Sequence, residues 1–391
     1  MDYLRRTWAD VSLDNLSHNY EVLRRSVASS CRFLGVVKAD AYGHGAVPIS
    51  RHLEEMGAEY LAVSNLEEAI QLRRGEVHLP ILILGYTPPH YVRGMVEMNI
   101  AQEVHSLEYA SALNAQLSGT KDRLTVHLKL DTGMARLGFF CQEGQPILDE
   151  LLQISRMEHL LVEGMFTHFP VADSLDPEDV AFTRSQFQTF RSFISAMEDA
   201  KARPRICHCC NSGATILYPE YALDMIRPGI ATYGIAPSRG LEGRLDLRPL
   251  MTLRSSISQI RHYPAGVSVS YGRSYVTPCP KTLAVLCIGY ADGLSRQLSG
   301  RVNFLLHGIP VPVVGRICMD MCMVDITNVP QARVGDKVTI MGAGRDGVSS
   351  VRDLSHMLGT IPYEILCDIN KRIPRIYLDG KKQTEILQYI V

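Results

Sequence analysis

The sequence has no excess of charge of either sign, no long apolar run and no metal-ligand spacing. Forty basic and 41 acidic side chains nearly balance among its 391 residues, so no overall field attracts nucleic acid or an anionic membrane. No run of about eighteen apolar residues occurs, and we expect no membrane-spanning segment in this chain. The ten cysteines include several in apolar runs and lack a second ligand pair. They predict reduced thiols, a cytoplasmic location and no metal site.

The first 235 or so residues do contain a regular alternation of short apolar runs and amphipathic stretches. The clearest amphipathic stretch begins with a helix cap and a first-turn proline at Asp176-Pro177. The apolar runs are typical of buried strands. They lie at 33–37, 60–64, 80–84, 100–104, 124–130, 160–167, 205–210 and 224–230.

Eight alternating units of this kind predict an α/β fold, a closed parallel (β/α)8 TIM-type barrel over residues 1–238. A doubly wound open sheet is the alternative, but no glycine-rich dinucleotide fingerprint follows the first strand. Beyond residue 240 strand-like runs follow one another with short turns between them, which predicts a mostly β domain over residues 239–391. These runs lie at 251–260, 282–290, 302–306, 310–314, 321–326 and 336–341.

Polar residues are concentrated where the predicted barrel strands end. Functional groups of such barrels lie at the carboxyl ends of the strands and in the loops that follow. The residues at these positions are Lys38, Lys129 with Asp131, His168, Asn211 with Ser212, and Arg227 with Gly229.

Lys38 is the strongest of these candidates. Burial after an apolar strand would lower the pKa of its amine, as a lysine that bonds to a carbonyl cofactor requires. A lysine whose charge extends into water is the ordinary alternative. The glycine-bearing turn at Gly43 and Gly45, where a ligand can approach the backbone, favours the functional interpretation.

The segment VVKADAYGHGA around Lys38 resembles the cofactor-lysine signature of the alanine racemases, a family of fold-type III pyridoxal-phosphate enzymes. Eight further motifs occur in the order and at the spacing of that family and cover nearly the whole chain. They are HLKLDTGMARLGF at 127–139, MFTHF around His168, CNSGA at 210–214, IRPGIATYG at 226–234, SYGRSY at 270–275, IGYADG at 288–293, GRICMD at 315–320 and YEILC at 363–367.

The resemblance implies pyridoxal 5′-phosphate as cofactor and a two-base mechanism. Lys38 would bind the cofactor covalently and act as one base, and Tyr271 of the β domain would act as the other at the site of a partner subunit. Proton removal on one face and delivery on the other require two such groups. A tyrosine with an ordinary pKa near 10 needs nearby positive charge to act as a base, and we expect His168 and Arg227 to supply it.

The family's cofactor-binding positions map onto further residues of this chain. Arg227 would face the pyridine nitrogen, where a permanent donor opposes protonation and weakens the electron sink, which disfavours transamination. The phosphate would lie on the loops after the seventh and eighth strands. The remaining cofactor-binding residues implied in this way are Tyr42, His168, Asn211, Ser212, Gly229, Ile230 and Tyr363. Ser212 can also be explained as a helix N-cap.

The resemblance also implies a substrate site and a homodimer with shared sites. Arg136, with Met319 of the partner subunit, would hold the substrate carboxylate. Lys129 lies near Arg136 in the family and is carbamylated in relatives, which gives a hypothesis for this chain.

Alanine is the expected substrate, and supply of D-alanine for bacterial peptidoglycan is the expected role. Relatives that prefer serine tend to carry a smaller polar residue where this chain has Tyr363, and pocket size discriminates between such substrates only by roughly a hundredfold. A racemase of serine or of broad specificity is therefore the nearest alternative. A non-catalytic pyridoxal-phosphate carrier and a decarboxylase of the same fold type are more distant ones.

Overall fold

We describe a computed structural model, which covers residues 6–141, 147–344 and 347–390. The chain forms two compact units. The larger comprises Ser17–Ala41 and Ala46–Leu247, and the other comprises Met1–Leu16, Tyr42–Gly45 and Arg248–Val391. The segment Tyr42–Gly45 thus belongs to the second unit, although the residues before and after it in sequence belong to the first.

The larger unit is a barrel of parallel strands. Each strand pairs in parallel with the next, and the last pairs with the first. Backbone bonds from Asp224 N to Cys207 O (3.0 Å) and from Arg227 N to Cys210 O (2.8 Å) join the remaining neighbours. The strands are Arg32–Val36, Tyr60–Val63, Ile81–Ile83, Ile100–Val104, Leu124–Asp131, Leu160–Phe166, Ile206–His208 and Met225–Ile226, and Phe139–Phe140 pairs outside this order.

Helices connect the barrel strands, as the sequence periodicity predicts. Side-chain caps begin several of them: Asn65 accepts from Glu68 N, Ser106 from Tyr109 N and Asp176 from Glu178 N. The α-helices are Leu13–Arg25, Ala46–Glu55, Leu66–Arg74, Val92–Glu97, Leu107–Gln116, Ile147–Ser155, Pro177–Asp199 and Ser212–Leu217, with 3-10 turns at Pro89–Tyr91, Pro219–Tyr221, Ile230–Tyr233 and Arg239–Leu241.

The second unit is mostly β. Its long strand Met251–Tyr263 pairs with Lys337–Met341 at one end and with Lys281–Leu286 at the other, so the sheet returns on itself. The other strands of this sheet are Thr7–Ser12, Asn303–Leu306, Ile309–Val314, Cys322–Asp325, Arg375–Asp379 and Lys382–Leu387. A separate pair is formed by Ser268–Val269 and Tyr275–Val276.

Two short α-helices, Val351–Leu358 and Pro362–Cys367, and the 3-10 turns Tyr271–Arg273, Tyr290–Asp292 and Arg296–Leu298 complete this unit. The parallel barrel followed by a mostly β unit confirms the predicted fold class. Within the three described ranges, no helix is both long and apolar enough to cross a membrane.

Candidate active site

The carboxyl ends of the barrel strands bring together most of the polar residues that the sequence analysis selected. Lys38 follows Arg32–Val36, Lys129 lies within Leu124–Asp131, and His168 follows Leu160–Phe166. Ser212 and Arg227 follow the last two strands of the barrel. Because all these strands are parallel, the residues share one end of the barrel.

The backbone after Lys38 forms a left-handed turn. Ala39, Asp40 and Ala41 have φ of 51, 55 and 53° and ψ of 50, 46 and 51°, and Tyr42 has φ 51°. Left-handed helical conformation costs a residue with a β-carbon roughly 1–2 kcal/mol. Local bonds stabilise the turn, since Ala41 N donates to Val37 O at 2.9 Å and Ala46 N donates to Asp40 Oδ1 at 2.9 Å. Consecutive strained residues of this kind are typical of a functional site.

The segment Tyr42–Gly45 is fixed within the second unit. Arg375 Nε donates to Gly43 O at 2.9 Å, and Tyr377 OH donates to His44 O at 2.7 Å. Gly43 has φ +77°, and a β-carbon there would lie 2.1 Å from Leu366 O. Only glycine fits this contact without displacing backbone. The segment that follows Lys38 is therefore anchored to the strand Arg375–Asp379 and the helix Pro362–Cys367.

Arg227 is buried and held from several directions. Nη1 is 2.8 Å from Nδ1 of His208, and Nη2 donates to Thr167 O at 2.8 Å and to Cys209 O at 3.3 Å. Its guanidinium carbon lies 5.3 Å from the centre of the Phe166 ring, a cation–π distance. Burial lowers its pKa to about 10, so Arg227 remains a cation at neutral pH.

Lys129 and Arg136 are placed by the strand Leu124–Asp131 and the loop after it. Asp131 Oδ1 accepts from Gly133 N and Ala135 N at 3.0 Å each, and Oδ2 accepts from Arg136 N at 3.1 Å. These bonds fold the loop around the carboxylate and leave the Arg136 side chain exposed. Lys129 is buried, and burial is the main cause that lowers its pKa to about 8.

His168 is surrounded by positive charge. Its Nδ1 is 3.5 Å from Arg227 Nη2. Burial first, and then the charges of Arg227, Arg136, Lys129 and Lys38, lower the pKa of His168 well below 6.5. His168 is therefore neutral. The sequence analysis expected both His168 and Arg227 to supply positive charge to a tyrosine base, and only Arg227 carries that charge. Four cations close to one point form a site suited to an anionic ligand.

The two loops assigned to a phosphate contact each other. Ser212 Oγ accepts from Gly229 N at 2.9 Å and from Ala231 N at 3.2 Å. The N-cap of the helix Ser212–Leu217 is Asn211, whose Oδ1 accepts from Ala214 N at 3.0 Å. The explanation of Ser212 as an N-cap is thus wrong, because its hydroxyl joins the two loops. Asn211 also donates through Nδ2 to Phe169 O at 2.9 Å.

Tyr271 and Met319 lie on neighbouring loops of the β unit and are 68% and 53% exposed. Ser270 Oγ donates to Arg316 O at 2.7 Å and lies 3.6 Å from Cys318 Sγ, which joins the two loops. Ser270 has φ 65°, so Tyr271 begins its turn from a strained backbone.

Tyr42 and Tyr363 also come together, with ring centres 5.8 Å apart. Burial raises the pKa of Tyr42, so its hydroxyl is protonated and can donate a hydrogen bond.

Sequence reasoning missed His208 and His127, which lie behind Arg227. Their ring nitrogens are 2.9 Å apart although 81 residues separate them in sequence. A histidine within an apolar strand run was the available signal at both positions. Within the described residues, no group of three or more His, Cys, Asp or Glu side chains could hold a metal ion.

Comparison with known proteins identifies the family. The alanine racemase N-terminal domain matches residues 11–237, and the alanine racemase C-terminal domain matches residues 250–377. An alanine racemase of Desulfovibrio desulfuricans is 43% identical over 96% of this chain and 99% of its own. Alanine racemase 1 of Clostridium acetobutylicum is 39% identical over 99% of both chains.

Solved structures agree with these sequence matches. The alanine racemase of Clostridium difficile superposes with a TM-score of 0.94 at 37% identity over 100% of both chains. The alanine racemase of Bacillus anthracis with bound L-Ala-P superposes with a TM-score of 0.90 at 32% identity over 100% of this chain and 99% of its own. The chain belongs to the alanine racemase family.

Proposed function

We propose that this protein interconverts L- and D-alanine with pyridoxal 5′-phosphate bound at Lys38, and that Tyr271 of the partner subunit is the second base. The observation that carries the proposal is the convergence of Lys38, Lys129, Arg136 and Arg227 around His168. Arg136 and Arg227 are permanent cations, and the amines of Lys38 and Lys129 add positive charge in the unliganded protein. This positive end of the barrel suits a ligand pair that brings a phosphate and a carboxylate.

The residues present fit pyridoxal phosphate. Arg227 is a buried donor that stays protonated, as a partner for an unprotonated ring nitrogen requires. The loops joined by Ser212 and Gly229 are proposed to receive the phosphate, with Ile230 and Asn211 beside them. Bound pyridoxal phosphate supplies an electron-withdrawing ring that makes the α-proton of an attached amino acid removable. The contribution of Tyr42 and Tyr363 to phosphate binding stays a prediction from the family resemblance.

The protein itself moves the proton. Tyr271 accepts the α-proton of L-alanine at its hydroxyl oxygen, and Lys38 Nζ delivers a proton to the opposite face of the α-carbon. In the reverse direction the two groups exchange roles. Lys38 lies between the apolar strand Arg32–Val36 and the left-handed turn, so ordered backbone holds the base of its side chain on both sides.

Arg227 is proposed to suppress a side reaction. A guanidinium directed at the ring nitrogen opposes its protonation, and a neutral ring withdraws electrons less strongly. Reprotonation at the α-carbon then competes better with transamination. The contacts of Arg227 with Thr167 O, Cys209 O and His208 keep the guanidinium in one orientation.

Arg136, with Met319 of the partner subunit, is proposed to bind the substrate carboxylate. Lys129 adds a second cation near Arg136, and carbamylation would convert it to an anion that pairs with the arginine. A carbamate forms when a neutral amine adds carbon dioxide and releases a proton, and the lowered pKa of Lys129, about 8, makes the neutral amine accessible near neutral pH.

A homodimer follows from the same assignment. Tyr271 and Met319 are exposed side chains with large apolar parts on adjacent loops, and exclusion of water from an active site strengthens the electrostatic interactions inside it. We propose that a second copy of the chain covers this surface and receives both residues at its own barrel.

The decisive experiment incubates the protein with pyridoxal phosphate and L-alanine and resolves the product on a chiral column. We expect a racemic mixture. A Tyr271→Phe variant should bind the cofactor normally, since it retains Lys38, and should lose racemisation. Borohydride reduction and peptide mapping should label Lys38, and an active, coloured protein in which Lys38 is unlabelled would refute the assignment.

The same assay decides between alanine and serine. Tyr363 is half-buried against Tyr42, and its bulk favours a methyl side chain. We expect kcat/KM for L-alanine to exceed that for L-serine. The opposite order would replace alanine as the proposed substrate while leaving the two-base assignment intact.

A further inference from the structure

A row of four polar side chains crosses the interior of the parallel barrel. Arg227 Nη1 is 2.8 Å from Nδ1 of His208, and Nε2 of His208 is 2.9 Å from Nδ1 of His127. Nε2 of His127 faces a carboxylate oxygen of Glu163 at 3.6 Å. Both histidines are fully buried, in a region that barrels usually fill with branched apolar side chains. We call Arg227, His208, His127 and Glu163 the interior row.

The hydrogen atoms in the interior row point in one direction. A guanidinium only donates, so Nδ1 of His208 accepts from Arg227. Burial lowers the pKa of His208 and of His127, so both rings are neutral and each carries one N–H. Nε2–H of His208 therefore donates to His127, which leaves the N–H of His127 on Nε2. That nitrogen has no hydrogen-bond partner within the described residues and faces Glu163.

Glu163 is the charged end of the row. Tyr60 OH donates to its Oε2 at 2.9 Å, and Arg205 pairs with Oε1. The contact with His127, aided by these two donors and opposed by burial, lowers the pKa of Glu163 to about 2. A permanent carboxylate attracts the N–H of His127 and thereby selects one tautomer.

The barrel backbone accommodates this arrangement. Gly164 follows Glu163 on the strand Leu160–Phe166, and a β-carbon at Gly164 would lie 2.2 Å from Nδ1 of His127. The missing side chain leaves the space that the His127 ring occupies. The position of His127 in the row is thus built into the strand beside it.

The consequence appears at Arg227. Its carbonyl partners, Thr167 O and Cys209 O, accept a hydrogen bond whatever the state of the row. His208 accepts only while Nδ1 is unprotonated. If the tautomers reversed, an N–H of His208 would face an N–H of Arg227, and the guanidinium would have to turn away from a buried donor.

We propose that Glu163, acting through His127 and His208, is a positioning residue for Arg227, and that it fixes the tautomers that keep the guanidinium directed at the cofactor ring. The inference rests on the proposed function of Arg227. A barrel-stabilising ion network is the alternative, and it predicts a loss of stability without a change in reaction outcome.

The variant Glu163→Gln tests the proposal with little change in shape. Arg205 only donates, so it will hold the amide oxygen, and the NH2 group will face His127 and Tyr60. Nε2 of His127 must then accept, and the row is expected to reverse. The matched control is Arg205→Gln, which removes an exposed partner of the same carboxylate (Arg205 side chain 68% exposed) and leaves the carboxylate facing His127.

Two measurements on the pyridoxal-phosphate-loaded protein read the result. Nitrogen-15 NMR of histidine-labelled protein, with signals assigned by their loss in His208→Gln, reports the tautomer of His208. The ratio of transamination to racemisation with D-alanine reports the orientation of Arg227. We expect Glu163→Gln to move the His208 proton to Nδ1 and to raise this ratio roughly tenfold, the lower end of the effect that residues orienting metal ligands have in metal sites. Glu163→Asp should restore the parent tautomer in part, and Arg205→Gln should match the parent.

A second variant covers the case in which Glu163→Gln does not fold. His127→Phe keeps a ring beside Gly164 and removes the acceptor for Nε2–H of His208. The tautomer with its proton on Nε2 then loses a hydrogen bond, and we expect a rise in the ratio that is smaller than in Glu163→Gln. If the parent racemises alanine while both the tautomer and the ratio stay unchanged in a folded variant, the inference is overturned and the proposed function stands. If the parent does not racemise alanine, the proposed function fails, and the NMR measurement still decides whether Glu163 sets the tautomers.

Discussion

In the left-handed turn after Lys38, we expect replacement of an alanine by glycine to stabilise the protein, the opposite of its usual effect. Glycine normally destabilises a folded chain when it replaces alanine, by roughly 0.5–1 kcal/mol, because it has more conformational freedom to lose. Ala39 has φ 51° and ψ 50°, where an alanine pays roughly 1–2 kcal/mol in steric strain that glycine avoids. The Ala39 side chain is exposed, so no burial is lost. We expect Ala39→Gly to raise the free energy of unfolding by about 0.5–1 kcal/mol.

The matched control is Ala181→Gly. Ala181 is also exposed, but it lies within the right-handed helix Pro177–Asp199, where glycine costs about 1 kcal/mol. The two substitutions make the same chemical change and should shift stability in opposite directions. Ala41 has the same left-handed conformation but is fully buried. Removing its methyl group gives up about 0.8 kcal/mol of burial, so Ala41→Gly should be close to neutral.

Urea unfolding followed by circular dichroism gives the three free energies, provided that the slope with denaturant is the same in each protein. If Ala39→Gly destabilises as much as Ala181→Gly does, then the turn is not left-handed in solution and the explanation is refuted. Racemisation by Ala39→Gly serves as a second readout. A more stable protein with lower kcat would indicate that the strained turn helps to hold the Lys38 amine in place.

Three further predictions follow from contacts at the site. Gly43→Ala should lower the free energy of unfolding in urea several times as much as Gly119→Ala does. Both glycines have a positive φ, but a β-carbon at Gly43 would lie 2.1 Å from Leu366 O, whereas a β-carbon at Gly119 would have no atom within 4 Å. Equal losses would contradict the close contact at Gly43. Native mass spectrometry at fixed carbon dioxide pressure should show more adduct as pH rises from about 7 to 9, since the pKa of Lys129 is about 8; an adduct that survives in Lys129→Ala would assign it elsewhere. Asn211→Ala and Asn65→Ala should each lower the free energy of unfolding by about 1 kcal/mol, because each removes a helix cap. Only Asn211→Ala should also weaken pyridoxal-phosphate binding to the cofactor-free protein. Equal affinities in the two variants would place Asn211 outside the site.

The barrel strands were predictable because buried parallel strands appear in sequence as short apolar runs. The sequence runs at 60–64 and 100–104 correspond to the strands Tyr60–Val63 and Ile100–Val104. The eighth strand was predicted too long, since it ends at Ile226. Arg227 and Pro228 follow, and a proline has no N–H to extend the ladder.

Elements that depend on distant partners were not predictable. The strand Thr7–Ser12 pairs with Met251–Tyr263 and with Arg375–Asp379, and its short TWADVS sequence does not indicate a strand without those partners. The left-handed turn has no signal in Ala39-Asp40-Ala41 either, because alanine favours right-handed helices.

The site was predicted as a set of residues, and the structure adds the connections between them. Motif order placed His168 after the sixth barrel strand and Arg227 after the eighth. It did not reveal that His208 and His127 stand behind Arg227, because residues 81 positions apart meet only once the barrel closes. Nor did it reveal the neutral state of His168, which depends on the cations around it.

The buried cations at the carboxyl end of the barrel carry a free-energy cost in the unliganded protein. Burial lowers the pKa of Lys129 from 10.5 to about 8, so its charged form is disfavoured by folding. That penalty is full below pH 8 and vanishes above the ordinary lysine value. The Phe166 ring, 5.7 Å from Lys129 Nζ and 5.3 Å from Arg227 Cζ, compensates part of it. An anion bound near Lys129 would offset the remainder. The free energy of binding such an anion would then include relief of this cost.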